Sequence, residues 1–188
     1  MSLFAGKSPE KTMIRAIAYS SVKRPLFYSG YHIVIASREC ADIKFLLEHG
    51  VDKRKIIACD IDHVARFRAG RLGVIVSPYC DIADTVLWAS RTYRRKNIAS
   101  VNVDLCMMLE TGIPILKRVL AAQATSKKTP IFFVYRRARE HGKMRRFPNN
   151  QTRLDWLKVQ CDLKDYVGYD YTSWHKDCKG SQMTMVVL

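Results

Sequence analysis

Between residues 32 and 60 the sequence reads HIVIASRECADIKFLLEHGVDKRKIIACD, which fits a strand, a helix and a second strand within about 30 residues. The runs 32–36 and 55–60 are apolar, rich in β-branched residues and without polar alternation. This pattern predicts strands that are buried on both faces of a parallel sheet. Residues 42–50 place apolar side chains on one helical face and end at a glycine, which predicts a helix. The stretch is therefore interpreted as a βαβ unit.

The same alternation of apolar runs and amphipathic segments continues along the chain. Further helices are predicted at 63–71, 82–93, 113–124 and 151–163, and further strands at 73–77, 98–104 and 129–135. The last apolar runs, 167–174 and 182–188, predict an antiparallel hairpin. Because strands alternate with helices, we expect an α/β fold, with a doubly wound, mostly parallel sheet of about seven strands, helices on both faces and a C-terminal antiparallel hairpin.

The length and apolar content set the expected domain organisation. With 188 residues, 48% of them hydrophobic, the chain is predicted to form a single domain over 1–188. Residues 1–28 are expected to be an N-terminal helical extension, whose helix begins at the cap Ser8-Pro9-Glu10 and ends before Pro25. No segment has the roughly 18 apolar residues needed to span a bilayer, and no signal peptide is evident. We therefore expect a cytoplasmic protein without membrane association.

The cysteines give no pattern of a disulfide framework or a metal site. The six are widely spaced and include no Cys-x-x-Cys pair, which favours reduced thiols. Cys40, Cys59, Cys80 and Cys106 fall at or just beyond the ends of successive predicted strands. Thiolate zinc sites usually take paired ligands from one turn, so no metal site is predicted.

The charge of the chain predicts nucleic acid as its partner. There are 32 lysines and arginines against 17 acids, a net charge of +15, and such an excess attracts phosphate backbones. The densest run, 136–146, follows the fifth predicted strand, and its candidate phosphate ligands are Arg136, Arg137, Arg139, Lys143, Arg145 and Arg146. A solvated basic loop, or attraction to an anionic membrane or an acidic protein, stays open as an alternative.

The order and spacing of the elements from Tyr31 to Leu188 resemble the class I S-adenosylmethionine-dependent methyltransferases. The resemblance implies S-adenosylmethionine as the cofactor. It also implies that the loop after the first strand, residues 36–42, wraps the methionine part of that cofactor. The implied cofactor-binding residues of this loop are Ala36, Ser37, Arg38 and Asp42. The loop departs from the family pattern because it contains no glycine, the residue that lets backbone N–H groups approach a ligand closely.

Acidic residues at predicted strand ends supply the other implied site residues. In the family, an acid after the second strand accepts hydrogen bonds from the ribose hydroxyls, and Asp60 and Asp62 are the candidates here. Asp81 matches the acid near the adenine. Asp104 matches the acid after the fourth strand, facing cofactor and substrate, and is the catalytic candidate. For Asp60, Asp62 and Asp81 a helix cap is the competing interpretation.

Two hypotheses follow from these observations. The first is an S-adenosylmethionine-dependent methyltransferase-like protein that acts on nucleic acid, either DNA or RNA. The second is a catalytically inactive methyltransferase-fold protein that serves as a DNA- or RNA-binding or regulatory module, and the glycine-free loop favours this alternative.

Overall fold

The computed structural model describes residues 9–123, 129–136, 150–164, 166–175 and 178–188. Its helices are α1 (Pro9–Ser20), α2 (Arg24–Ser29), α3 (Ala41–Glu48), α4 (His63–Arg71), α5 (Ile82–Thr92), α6 (Leu109–Gln123) and α7 (Asn150–Cys161). Its strands are β1 (Tyr31–Ile35), β2 (Ile56–Cys59), β3 (Ile75–Val76), β4 (Ile98–Met108), β5 (Ile131–Arg136), β6 (Val167–His175) and β7 (Cys178–Val187). Short 3₁₀ turns at Lys53–Lys55 and Arg95–Asn97 lead into β2 and β4.

These strands form one seven-stranded sheet in the order β3-β2-β1-β4-β5-β7-β6. Strands β1 to β5 are parallel, and β7 is antiparallel to both β5 and β6. The predicted α/β fold with its C-terminal antiparallel hairpin is thus confirmed. The chain moves outward from β1 to β3 and returns to the other side of β1 at β4. Open α/β sheets bind ligands beyond the carboxyl ends of the strands at such a reversal.

Helices cover the sheet on both sides and bury two apolar cores. On one side, Leu46 of α3 packs in a cluster with residues of α1 and α4 and with Phe132 of β5. On the other side, Val86 of α5, Leu116 of α6 and Leu157 of α7 belong to a second cluster. All four residues of β2 are buried, which explains why its sequence shows no polar alternation. Each fully buried large aliphatic side chain contributes about 1.5–3 kcal/mol.

Helix α2 and strand β4 are among the elements that differ from the sequence-based expectation. Pro25 lies in the first turn of α2, a helix that was not predicted. Proline fits there because its missing N–H would have no helical partner in the first turn. Strand β4 continues to Met108 and passes directly into α6, whereas it was expected to end at Asp104. Asp104 therefore lies within a strand that is longer than predicted, not at its end.

Candidate functional site

The loop between β1 and α3 adopts turns that usually require glycine. Ser37 and Cys40 have φ angles of 51° and 52°, in the left-handed region. The loop is held in place by three neighbours: Ala36 N–H donates to the Cys59 carbonyl at 2.8 Å, Ser37 N–H donates to Asp60 at 3.0 Å, and the Arg68 guanidinium donates to the Arg38 carbonyl at 2.8 Å. A glycine-free sequence thus keeps left-handed turns because contacts with β2 and α4 fix them.

Asp60, directly after β2, is oriented by two backbone amides. Its Oδ2 accepts from Ser37 N–H at 3.0 Å and its Oδ1 from Asp62 N–H at 2.9 Å. Within the described residues, no lysine or arginine forms an ion pair with this carboxylate. The side chain is half-buried at the carboxyl edge of the sheet. It is therefore a carboxylate fixed by two amides, with no ion-pair partner in the part of the chain that the structure describes.

Asp62 is a helix cap and an ion-pair partner. Its Oδ1 accepts from Val64 N–H at 2.8 Å at the N-terminus of α4, and its Oδ2 accepts from Arg38 Nε at 2.5 Å. The hydrogen bond with Arg38 is the main cause that lowers the pKa of Asp62. Both oxygens of Asp62 already have partners within the protein, and one of these is the cation of Arg38.

Asp81 has a similar arrangement on α5. Its Oδ1 accepts from Ala83 N–H at 2.8 Å, which caps the helix, and its Oδ2 accepts from Arg118 of α6 at 3.1 Å. Arg118 also contacts Asp84 at 2.9 Å. These contacts join α5 and α6 at the carboxyl edge. Asp81 is thus capped and paired, as Asp62 is.

Asp42 lies in the first turn of α3 and forms a largely buried ion pair with α1. Arg15 Nε donates to Asp42 Oδ1 at 2.9 Å, and the exposed fractions of the two side chains are 13% and 8%. Burial opposes the charge on Arg15, but Asp42, and to a lesser extent Asp104, outweigh burial and raise the pKa of Arg15. Asp42 therefore anchors α1 over the carboxyl edge.

Asp104 lies close to this ion pair. The pairing of β4 with β5 shifts its register after Asp104. The half-buried side chain lines a cavity of about 20 Å³ together with Arg15, Asp42 and Asn102. A space of this size holds about one water molecule. The structure thus brings two of the candidate acids, Asp42 and Asp104, together around Arg15.

Ile61 is a further candidate for the site, and the sequence interpretation does not include it. It lies between Asp60 and Asp62 and is 88% exposed, an unusual position for a large aliphatic side chain. The signal in the sequence is an apolar residue between two acids just after a buried strand. An exposed apolar side chain beside a fixed carboxylate offers a surface on which a planar base can pack.

The basic run falls almost wholly outside the described residues. Arg136 is the last residue of β5 and lies at the carboxyl end of that strand. Arg137, Arg139, Lys143, Arg145 and Arg146 lie beyond the described part of the chain. Their role in binding phosphate stays a prediction.

The described thiols do not assemble into a metal site. Cys59 is buried at the end of β2, where burial raises the pKa of its thiol to about 12, whereas Cys80 is exposed. Among the residues that the structure describes, no group of three histidine, cysteine or acidic side chains could hold a metal ion. In the same residues, no helix is both long and apolar enough to cross a bilayer.

Comparisons with known proteins identify the fold. No protein-family model and no curated protein matches the sequence. The structure is similar to an O-methyltransferase from Bacillus cereus in complex with SAH, with a TM-score of 0.56 and 10% identity over 99% of this chain and 84% of that chain. It is similar to a structure described as an rRNA-methylase from Clostridium thermocellum, with a TM-score of 0.52 and 13% identity over 96% and 97% of the two chains.

A third similar structure is the plantazolicin methyltransferase BamL in complex with SAH and a triazolic desmethylPZN analogue. Its TM-score is 0.50, with 11% identity over 95% of this chain and 84% of that chain. Identities this low bear on the fold alone. The strand order and the antiparallel β7 agree with the resemblance noted in the sequence. The chain therefore has the fold of the class I S-adenosylmethionine-dependent methyltransferases.

Proposed function

We propose that this chain binds S-adenosylmethionine at the carboxyl edge of β1 and β2 and acts as a methyltransferase on nucleic acid. The observation that carries the proposal is the set of hydrogen bonds and ion pairs made by the Asp60 carboxylate. Asp62 and Asp81 both cap helices and pair with arginines, whereas Asp60 is held by two amides and has no cation partner among the described residues. Of these three acids, Asp60 is the one best suited to accept hydrogen bonds from a ligand.

The acceptor capacity of Asp60 fits the ribose of the cofactor. An ionised carboxylate offers about four lone-pair sites, and the two amides occupy about half of them. The remaining lone pairs can accept the vicinal hydroxyls of a ribose. Ile61 follows Asp60 in the chain, and its exposed side chain can cover one face of the base. Asp60 and Ile61 together fit a nucleoside better than they fit a simple cation or an amine.

The remaining residues have separate roles in this proposal. Bound S-adenosylmethionine supplies an electrophilic methyl group. Asp104 is the half-buried acid that accepts a proton from the substrate, and it lines the same small cavity as the Arg15–Asp42 ion pair. Arg136 and the cations that follow it hold the phosphate backbone. The net charge of +15 supports a polyanionic substrate.

A second candidate function is supported by the loop itself. The Ser37 amide and the Arg38 carbonyl are satisfied by Asp60 and Arg68, and Cys40 N–H donates to the Ser37 carbonyl at 3.3 Å. These backbone groups are therefore already bound within the protein. The loop suits a non-catalytic protein that retains the fold and binds nucleic acid through its basic surface.

Calorimetric titration of this chain with S-adenosylhomocysteine tests the proposal. We expect micromolar binding that Asp60→Asn weakens about tenfold or more, because one carboxylate oxygen is replaced by a donor. Asp52→Asn is the matched control, since Asp52 caps the 3₁₀ turn at the opposite end of β2 and asparagine keeps that cap. Absence of binding at millimolar ligand would overturn the cofactor assignment and leave the non-catalytic candidate.

A methyl-transfer assay with radiolabelled cofactor on mixed DNA and RNA then tests the substrate class and Asp104. We expect Asp104→Asn to lower turnover about 100-fold or more while calorimetric binding of S-adenosylhomocysteine changes little, because proton transfer of this kind contributes about that factor. Unchanged turnover in the variant would remove Asp104 from the mechanism. Transfer to protein but not to either nucleic acid would refute the substrate class.

A further inference from the structure

Helix α4 presents an aromatic side chain to solvent on the outer edge of the sheet. The helix packs on the sheet through small residues, since Ala65 and Ala69 are its buried positions. Phe67 points away from this core and is 66% exposed. The adjacent strand β3 has two residues and pairs with β2 on one side only. Helix α4 and β3 thus leave the Phe67 ring exposed at an open edge of the sheet.

A hollow of about 550 Å³ lies between α4 and β3 and is open to solvent. Its lining residues are His63, Arg66, Phe67, Gly70, Arg71 and Val76. His63, Phe67, Gly70 and Arg71 are spaced at helical intervals and therefore share one face of α4. Gly70 has no side chain, so the hollow stays open beside the Phe67 ring. No acidic side chain is among these lining residues.

Arg66 is held in place but its charge is not neutralised. Its Nη1 donates to Cys80 Sγ at 2.9 Å and its Nη2 to the Ser77 carbonyl at 3.4 Å. Its Nε is buried and has no hydrogen-bond partner. In the described part of the chain, neither Arg66 nor Arg71 forms an ion pair with a carboxylate. The hollow thus combines an exposed ring with two arginines that have no carboxylate partner among the described residues.

We propose that this hollow binds a single-stranded nucleic acid. An unpaired base stacks on Phe67 in the space above Gly70, and the phosphates on either side contact Arg66 and Arg71. Every base has a π-face that an aromatic ring can hold, whereas the bases of a duplex are stacked on each other and cannot reach the ring. The charge of the hollow excludes a basic partner. Binding here requires neither the cofactor nor Asp60, so it is independent of the proposed methyl transfer.

Fluorescence anisotropy with the 188-residue chain tests the proposal. The probes are a labelled single-stranded RNA of about 12 nucleotides and a duplex of the same sequence. We expect Phe67→Ala to weaken single-strand binding about tenfold and duplex binding less than about twofold, and Phe67→Trp to restore the single-strand affinity. Arg71→Gln should reduce the salt slope of single-strand binding by about one. Because Phe67 and Arg71 are exposed, these changes leave the core intact.

Helix α2 provides the matched control. Arg24 and Tyr28 are an exposed arginine and a half-exposed aromatic residue, spaced four apart as Phe67 and Arg71 are. We expect Tyr28→Ala and Arg24→Gln to leave both affinities unchanged. The proposal is overturned if Phe67→Ala binds the single strand as tightly as the wild type does. It is also overturned if Tyr28→Ala weakens single-strand binding as much as Phe67→Ala does. A dimer in sedimentation equilibrium that Phe67→Ala dissociates would also overturn it, in favour of a contact between two copies of the chain.

Discussion

The Ser37 amide donates a 3.0 Å hydrogen bond to Oδ2 of Asp60, and this contact joins the loop after β1 to the end of β2 across 23 positions of sequence. Ser37 has a φ of 51° and an exposed side chain. The left-handed region costs a residue with a Cβ roughly 1–2 kcal/mol. The hydrogen bond to Asp60 offsets part of this cost and keeps the loop in a turn that its sequence does not favour.

Replacing Ser37 by glycine should stabilise the protein. Relief of the left-handed strain exceeds the entropy that glycine adds to the unfolded chain, so we expect Ser37→Gly to raise the free energy of unfolding by about 0.5–1 kcal/mol in urea titrations. Ser37→Ala retains a Cβ and is the control, for which no gain is expected. A loss of stability in Ser37→Gly would show that the serine side chain, not the backbone turn, supports the loop.

Substitutions of Arg15 and Asp42, the buried ion pair between α1 and α3, should have strongly non-additive effects on the free energy of unfolding. Arg15→Met leaves the Asp42 carboxylate buried without its cation and should cost about 3 kcal/mol in the free energy of unfolding. Adding Asp42→Asn should recover at least about 1 kcal/mol, as a double-mutant cycle can measure. Arg118→Met is the contrast, because Arg118 is 50% exposed and its loss should cost less than about 1 kcal/mol. If Arg15→Met and Asp42→Asn changed the free energy of unfolding additively, the direct contact between Arg15 and Asp42 would be contradicted.

The sequence predicted the architecture because the strands of a parallel sheet are apolar on both faces. The runs at β1, β2 and β5 needed no tertiary information to be recognised. The sequence predicts a β4 that is too short, because the acid Asp104 interrupts the apolar pattern. In the structure, residues 105–108 continue the strand. The sequence does not predict helix α2, because Pro25 indicates the end of the preceding helix although proline is also favoured in the first turn of the next.

The sequence predicts which acidic residues lie at the candidate site, but not which cations pair with them. Acids after buried strands are visible in the sequence, and Asp60 and Asp62 lie together because the chain is continuous. The partner of Asp81 could not be predicted, since Arg118 follows it by 37 positions and meets it only when α5 packs on α6. The 88% exposure of Ile61 is likewise set by the packed structure, not by its neighbours in sequence.

Stability should decrease as His32 takes up a proton. His32 is fully buried on β1, where Ser100 and the Phe27 carbonyl contact its ring nitrogens at 2.8 Å, and burial lowers its pKa from 6.5 to about 4. Above pH 6.5 the ring is neutral in the folded and unfolded states and adds no pH dependence. Between pH 6.5 and about 4 the unfolded chain binds the proton first, so the free energy of unfolding falls by up to about 3 kcal/mol.

Urea titrations of the wild type and His32→Gln from pH 7 to about pH 4.5 measure this contribution. We expect the wild type to lose more stability than the variant over this interval, because glutamine does not titrate. The carboxylates titrate in both proteins, so the difference between the two curves isolates His32. Parallel curves would show that the ring is as accessible to protons in the folded protein as in the unfolded chain.

Replacing Gly30 by alanine should lower the free energy of unfolding, whereas replacing Gly70 by alanine should raise it. A Cβ at Gly30, between α2 and β1, would lie 2.8 Å from the Leu26 carbonyl oxygen and 2.9 Å from Ala99 Cβ. These atoms belong to the backbone and to a packed strand, so Gly30→Ala should cost about 1–3 kcal/mol through overpacking.

A Cβ at Gly70, inside α4, would lie 3.5 Å from Val76 Cγ2, an ordinary contact. Gly70→Ala should therefore add about 0.5–1 kcal/mol, because alanine favours the helix and restricts the unfolded chain. Both values come from urea unfolding at one pH, and a stabilising Gly30→Ala would mean that the junction of α2 and β1 is less closely packed than these distances state.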